Sequence, residues 1–240
     1  MSHLKAKGPT YARYLCSTLW RGEEYYFQID SHMDFEKDWD STLIRLLKEC
    51  PGDVNKNVLS HYPPSRENTN NDLSFMCNSK FKNNIITQES VLISRRDKPL
   101  KSPYLAAGMM FLKSDFLRIV PYDPYLPYLF HGEEYLFSAR LWTSGYDFYM
   151  PLENVVKHFY YRKNEPKFWD DHTTWTNYRD NSLKRAYYIL GWEPLSNVPV
   201  NYRTDLDKYG LGNVRTIKEY HNFSGVDYTT KKNKNLCKER

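Results

Sequence analysis

The sequence predicts an α/β fold in which a sheet is flanked by helices. Short apolar strands alternate along the chain with amphipathic helical segments, which is the pattern of α/β proteins. Turn-forming pairs such as Arg21-Gly22 and Pro51-Gly52 separate these segments. The 240 residues suffice for a sizeable core, and no internal repeat divides them. We therefore expect one core with an appended C-terminal region.

The first half of the chain is predicted to begin with a helix that has Pro9 in its first turn. A second helix follows from the spacing of Trp39, Leu43, Leu46 and Leu47, which places all four on one face. The predicted elements are a helix at 9–19, a strand at 24–29, a helix at 38–50, a strand at 58–62, a long Asn-rich surface loop at 65–80 and a strand pair or ribbon at 85–94.

The second half is predicted to open with a buried strand that has Gly108 near its centre. A glycine inside a strand often marks close approach by a ligand or another backbone. The predicted elements are this strand at 104–111, a short helix capped by Ser114 and ending near Pro121, an extended segment at 121–129, a helix at 133–143, strands at 146–150 and 155–161, and a helix at 181–190.

Composition and charge limit the classes of function. Aromatic residues make up 16%, including 21 Tyr, which suits sugar-binding or interface surfaces but equally a Tyr-rich core. Residues 231–240 hold five basic and one acidic side chain, so this tail carries most of the net charge of +5. Its aromatic and basic residues do not interleave, so we expect a disordered tail and no nucleic-acid partner.

The cysteines and the apolar runs bear on the compartment. Cys16, Cys50, Cys77 and Cys237 lie far apart without a CxxC pair, which argues against a zinc cluster and a disulfide framework. No apolar run is long enough to span a membrane, and no signal-peptide core is present. We therefore expect a protein of a reducing compartment, the cytoplasm, with its oligomeric state left open.

A metal-ligand pair is predicted where the strand at 24–29 ends. Asp30 and His32 are two positions apart, so in an extended chain they point the same way. A carboxylate and an imidazole together suit manganese and similar divalent ions. The alternative is an Asp-Ser turn that caps the next helix.

Two further segments carry candidate site residues. Glu133 and Glu134 open a helix after the turn residue Gly132, where acidic side chains also favour the helix dipole. His158 ends a strand, where a lone histidine is often structural. Because α/β sheets bind ligands at the carboxyl ends of their strands, these residues are expected to converge.

The converging residues predict metal-dependent chemistry on a phosphate-bearing substrate. An ion held by Asp30, His32 and His158 would keep open positions for diphosphate oxygens. Arg13 and Arg162 are candidates for bidentate contacts to phosphate.

The sequence resembles the GT-A-fold N-acetylglucosaminyltransferases, typified by the cytoplasmic enzyme that glycosylates hydroxyproline on a ubiquitin-ligase adaptor. The resemblance covers residues 8 to about 228. The motifs that carry it are GPTYARY at 8–14, QIDSHMDF at 28–35, AAG at 106–108, PYDP at 121–124, FHGEE at 130–134, RLWTSGYD at 140–147 and YGLGNVRT at 209–216.

This resemblance implies a GT-A-type mixed sheet and a set of site residues. A more distant similarity to the polypeptide N-acetylgalactosaminyltransferases implies the metal ligands. The implied residues are Asp30, His32 and His158 for Mn²⁺, Glu133 and Glu134 for catalysis, and Arg13, Asp30, Gly108, Arg140 and Arg162 for the donor. The distant family has an arginine three residues after its metal histidine, where this chain has Tyr161 followed by Arg162.

The implied activity is transfer of N-acetylglucosamine from UDP-GlcNAc to a protein hydroxyl, of hydroxyproline or Ser/Thr, with retention of configuration. Family members begin with βα units that hold the uridine, and we expect this chain to lack them. The expected division is a truncated core at 1–162, a C-terminal region at 163–228 and a basic disordered tail at 229–240. The alternatives are an inactive pseudo-glycosyltransferase that acts as a binding module, and a metal-dependent hydrolase or nuclease.

Overall fold

The computed structural model describes residues 2–70, 72–161 and 165–238. Its helices are α1 (Pro9–Ser17), α2 (Trp39–Glu49), α3 (Phe116–Ile119), α4 (Glu133–Thr143), α5 (Trp175–Ile189) and α6 (Ile217–Ser224). Its strands are β1 (Tyr25–Ile29), β2 (Met33–Phe35), β3 (Asn57–Ser60), β4 (Leu73–Lys82), β5 (Ile85–Ile93), β6 (Leu100–Ser102), β7 (Met109–Lys113), β8 (Asp147–Met150), β9 (Val156–His158), β10 (Val226–Asp227) and β11 (Lys232–Asn233).

A five-stranded mixed sheet with the order β1-β7-β3-β8-β6 forms the centre of the fold. Only β3 and β8 run parallel, and every other neighbouring pair is antiparallel. Alternate residues of β7 face opposite sides of the sheet. Met109 and Phe111 pack with α2, whereas Met110 and Leu112 pack with α4. The predicted α/β class with helices on both faces is confirmed.

Helix α4 is buried on nearly every side, and of its residues only Glu134 is not fully buried. It lies between the sheet and the C-terminal helices. Its aromatic side chains Tyr135 and Trp142 contact Tyr220, and Trp142 also stacks on Phe223 of α6. The C-terminal region therefore covers the helix that opens with the two predicted site glutamates.

Strands β4 and β5 form a two-stranded antiparallel ribbon outside the main sheet. Asn83 and Asn84 join them, and both have positive φ, as a tight hairpin turn requires. The prediction of a surface loop at 65–80 is wrong from Leu73 onward. Residues 73–77 are all buried, including the apolar side chains of Leu73, Phe75, Met76 and Cys77.

Other element boundaries also differ from the prediction. The strand expected at 104–111 begins only at Met109, because residues 104–108 form a turn that leads into β7. The helix expected at 181–190 begins six residues earlier, at Trp175. Within the described residues, no helix combines the length and the apolar character needed to cross a membrane.

The C-terminal tail differs from the expectation of disorder and of unpaired cysteines. Residues 229–238 contain strand β11 and the buried side chain of Leu236. Cys237 is joined to Cys77 of β4 by a disulfide that links positions 160 residues apart. Composition suggested a solvated end, whereas the tail packs against the ribbon. The proposed boundaries near residues 162 and 228 remain a prediction.

The buried ion pair between Arg185 and Asp123 gives a test of this packing. Both side chains are inaccessible to solvent, and the guanidinium also donates to the carbonyls of Tyr202 and Thr204. Asp123→Asn leaves a buried cation without its counter-charge, so we expect the free energy of unfolding to fall by about 3–5 kcal/mol. Asp180→Asn breaks the exposed pair with Arg179 and should cost less than about 1 kcal/mol. Urea denaturation measures both, and equal losses would contradict the assignment.

Candidate active site

Asp30 and Gly108 lie side by side where β1 ends and β7 begins. The backbone N–H of Asp30 donates to the carbonyl of Gly108 at 3.2 Å. A Cβ at position 108 would lie 3.3 Å from Asp30 Oδ2 and 3.5 Å from the ring of Pro63. The absence of a side chain at Gly108 thus leaves room for the carboxylate of Asp30.

The two predicted imidazoles are brought to neighbouring positions on paired strands. Strand β2 pairs with β9 so that Met33 lies opposite His158. The N–H of Phe159 donates to the carbonyl of His32 at 3.1 Å. His158 is buried and its ring packs on Tyr160, whereas His32 is exposed.

Asp30 and His158 open onto one cleft of about 830 Å³. Its walls combine the first turn of α1, the strand ends and an aromatic segment before α5. The lining residues that bear on function are Gly8, Asp30, Phe130, His158, Tyr160 and Trp169. A cleft of this size accommodates a nucleotide-sized ligand, and its aromatic walls suit sugar or peptide groups.

Arg13 of α1 connects the acid of β1 to the acid of α4. One guanidinium nitrogen donates to Glu133 Oε1, and the other lies 3.5 Å from Asp30 Oδ1. Burial alone would lower the pKa of Arg13, but the charges of Glu133 and Asp30 outweigh burial and raise it. Burial raises the pKa of Glu133, and the neighbouring Arg13 opposes that shift. The guanidinium is therefore a fixed positive charge between two carboxylates.

Glu134 faces a different set of partners from those of Glu133. Its Oε1 accepts the N–H of Ala107 at 2.8 Å, and its Oε2 accepts the hydroxyl of Tyr62 at 2.7 Å. Burial and the charge of Glu133 raise the pKa of Glu134 to about 7, although its two hydrogen bonds lower it. Since both carboxylate oxygens are engaged by the protein, Glu134 holds the turn that contains Gly108. The structure thus gives Glu134 a positioning role, and its catalytic role stays a prediction.

The same turn is held from two other sides. Gln28 of β1 donates to the carbonyl of Ala107 at 2.7 Å and accepts the hydroxyl of Tyr122. Ser60 of β3 accepts the N–H of Ala106 and donates to the carbonyl of Met109. Side chains of three separate elements, α4, β1 and β3, therefore fix the backbone that approaches Asp30.

The predicted donor contact Arg140 is engaged by backbone groups away from Asp30 and Gly108. Arg140 is buried, and its guanidinium donates to the carbonyls of Gly210 and Pro121. Burial lowers its pKa to about 10. Its side chain ties α4 to the C-terminal region, and donor binding by Arg140 stays a prediction. Arg162 lies outside the described residues.

The predicted metal ligands have donor atoms that suit a divalent ion, but they are not arranged as a complete ligand set. In the part of the chain that the structure describes, no group of three His, Cys, Asp or Glu side chains is placed to hold a metal. Asp30 and His158 nevertheless share the cleft wall, and their oxygen and nitrogen donors suit manganese. A ligand that brings its own oxygens would complete such a partial set.

Sequence reasoning missed Tyr62 and the aromatic segment at 166–169. Tyr62 was treated only as the end of a strand, and its partner Glu134 is 72 residues away. Trp169 and Phe168 lie in a stretch without periodicity. The Pro63-Pro64 pair after Tyr62 marks the end of a strand. It does not indicate which carboxylate the Tyr62 hydroxyl contacts.

The mixed sheet with a glycine turn and an acid at its strand ends defines a glycosyltransferase fold of the GT-A type. A crystal structure of GalNAc-T7 with UDP, GalNAc and Mn²⁺ is similar to it, with a TM-score of 0.53 and 12% sequence identity. The match covers 90% of this chain but only 43% of that one. A sequence search among curated proteins gives no significant match.

The family follows from the sequence itself. Residues 1–230 match the family described as glycosyltransferase (GlcNAc), which covers almost the whole chain. The chain therefore belongs to the GlcNAc glycosyltransferase family.

Replacing Glu134 by a neutral residue tests whether its surroundings raise its pKa. Because its pKa is raised from 4.5 to about 7, its contribution to stability is present below pH 4.5 and is lost as the pH rises through about 7. Glu134→Gln cannot ionise. We therefore expect its free energy of unfolding, relative to wild type, to increase by roughly 2–3 kcal/mol between pH 5 and pH 8.

The neighbouring glutamate supplies the matched control. Glu133→Gln removes the main counter-charge of Arg13, so this variant should be less stable than wild type at pH 8. Urea denaturation at pH 5 and pH 8 measures the free energy of unfolding of both variants and of wild type. A stability difference for Glu134→Gln that does not change with pH would show that Glu134 titrates normally.

Proposed function

We propose that this chain is a metal-dependent glycosyltransferase that moves N-acetylglucosamine from UDP-GlcNAc to a protein hydroxyl, of hydroxyproline or Ser/Thr. The observation that carries the proposal is the convergence of Asp30, Gly108, Arg13 and Glu133 at the strand ends, beside a cleft that His158 also lines. Membership of the GlcNAc family supports the donor sugar.

The donor diphosphate is proposed to bind with Mn²⁺ at the Asp30 end of the cleft. Asp30, His32 and His158 would hold the ion, which would neutralise charge on the departing UDP. The GalNAc-T7 structure was determined with UDP and Mn²⁺, which supports this choice of metal. The diphosphate oxygens would complete the partial ligand set of the protein.

Arg13, Glu133 and Glu134 are each proposed to have a different role in the site. Arg13 is fixed by Glu133 with its charge near Asp30, where a diphosphate would lie. Glu133 would orient Arg13 and contact the donor or the acceptor hydroxyl. Glu134 and Tyr62 would position Gly108, whose backbone would approach the donor sugar. Arg162 keeps its predicted role as a second phosphate contact.

The acceptor is proposed to enter along the aromatic wall formed by Phe130, Tyr160 and Trp169. Rigid aromatic side chains offer apolar surface to an extended peptide at a low cost in conformational entropy. Retention of the anomeric configuration is proposed on the family resemblance alone.

A second candidate function is a binding module without turnover. It is favoured by the lack of a preassembled three-ligand metal group among residues 2–70, 72–161 and 165–238. A donor-hydrolysis assay separates the two functions. Release of UDP from UDP-GlcNAc by the purified chain, above the rate of a Glu133→Ala variant, would exclude the module.

Titration calorimetry tests the proposed donor site. Wild-type protein should bind UDP-GlcNAc in the presence of Mn²⁺ and lose that binding when EDTA removes the metal. Asp30→Asn removes the anionic ligand, so we expect affinity to fall roughly 100-fold or more.

Asp40→Asn is the matched control, because Asp40 lies on the nearby α2 and accepts only a local bond from Ser41. It should bind the donor as wild type does. Binding that persists unchanged without metal, or in Asp30→Asn, would refute the proposed site.

A further inference from the structure

We propose that Cys77 and Cys237 form a redox modification site that locks the C-terminal arm, defined as residues 229–238, onto the β4–β5 ribbon. The two Cα atoms are 4.9 Å apart, within the range that a disulfide spans. Cys77 is fully buried at an irregularity in β4, between Met76 and Asn78. This inference does not depend on the proposed transferase activity.

Just before the arm, Val226 is buried in the core, and Tyr228 stacks on Trp192 and donates to Glu193. The arm itself has few attachments beyond its short hairpin. Strands β10 and β11 pair over two residues each, and Asn233 donates to Asn78 of the ribbon. Past β11, Leu236 is the buried apolar side chain beside Cys237. The arm also carries Lys231, Lys232, Lys234 and Lys238, which favour solvent. From residue 229 to residue 238 the one buried side chain is that of Leu236. It offsets little of the entropy lost by ordering these ten residues, so their position depends on the covalent bond.

Formation of the bond requires a disulfide oxidant, such as oxidised glutathione or an oxidoreductase with an active-site disulfide. The Cys237 thiolate attacks a sulfur of the oxidant and expels one thiol, which leaves a mixed disulfide. The Cys77 thiolate then attacks the Cys237 sulfur, and the second thiol of the oxidant leaves. The two cysteines lose two electrons and two protons, and the oxidant gains them as two thiols.

The remaining cysteines have different surroundings. Burial raises the pKa of Cys50 to about 12, so this thiol is inert at neutral pH. Cys16 is an exposed thiol on α1, far from the ribbon in sequence, and therefore serves as a control position.

Locking the arm is connected to the candidate active site through the ribbon, which contacts α4 and the turn before it. The first residues of β5 pack against the turn before α4, where a Cβ on Gly132 would meet the Ile85 side chain at 3.7 Å. Gln88 of the ribbon lies within 3.4 Å of Ser138 on α4. A stable bond would also place the folded protein in an oxidising compartment, in contrast to the cytoplasm expected from the sequence.

Peptide mapping of the wild-type protein tests the bond directly. The full chain is incubated with oxidised glutathione, its free thiols are alkylated without reduction, and it is digested. We expect a cross-linked peptide that contains Cys77 and Cys237, with Cys16 alkylated or carrying glutathione. Recovery of Cys77 and Cys237 as separate alkylated or glutathionylated peptides would overturn the proposal.

Thermal unfolding and trypsin sensitivity test the lock. Reduction should lower the Tm by roughly 5–15 °C and speed cleavage at Lys232 and Lys234. Cys237→Ser should match the reduced wild type and no longer respond to reductant, whereas Cys16→Ser should behave as wild type. Equal trypsin cleavage of the oxidised and reduced wild-type protein would refute the lock, even if Cys237→Ser does not fold.

Discussion

The largely buried ion pair between Arg13 and Glu133 is the interaction on which the rest of the site depends. It joins the first helix to the first turn of α4 across 120 residues, and the same guanidinium reaches Asp30 at the end of β1. Breaking a buried pair by removing one partner strands a charge in the interior, which costs about 3–5 kcal/mol. The pair therefore does more than stabilise the fold. It fixes a positive charge at the strand ends, where the donor diphosphate is proposed to bind.

The two consecutive glutamates of α4 show how one turn serves two purposes. Glu133 pairs with Arg13, which also reaches Asp30. Glu134 accepts one hydrogen bond from the N–H of Ala107 and another from the hydroxyl of Tyr62. The turn around Gly108 is thereby set against Asp30 with little room for a side chain. A substrate-binding surface held in this way by several segments is preorganised, which reduces the entropy lost when a ligand binds.

The sequence predicted those features of the fold that are encoded locally. Helix α4 has the predicted bounds, because Gly132 and two acids mark its start and Ser144-Gly145 its end. Strand β5 lies where a strand pair or ribbon was predicted, whereas β4 was missed because a strand's pairing partner is not visible in its own composition. Motif resemblance assigned Asp30, Gly108 and Glu133 to one site, and the structure places Asp30 against Gly108 and joins it to Glu133 through Arg13. The roles of Glu134 and Arg140 could not be predicted, because each depends on a backbone group that only the tertiary structure brings near.

The most direct test of a shared donor and metal site is a manganese titration followed by electron paramagnetic resonance, with and without UDP. Free Mn²⁺ gives a sharp signal that is lost on binding to the protein. If Asp30 and His158 supply only part of the ligand set, UDP should raise the affinity for Mn²⁺ at least tenfold, and Mn²⁺ should raise that for UDP by the same factor. An affinity for Mn²⁺ that UDP leaves unchanged, or no binding with UDP present, would contradict the account.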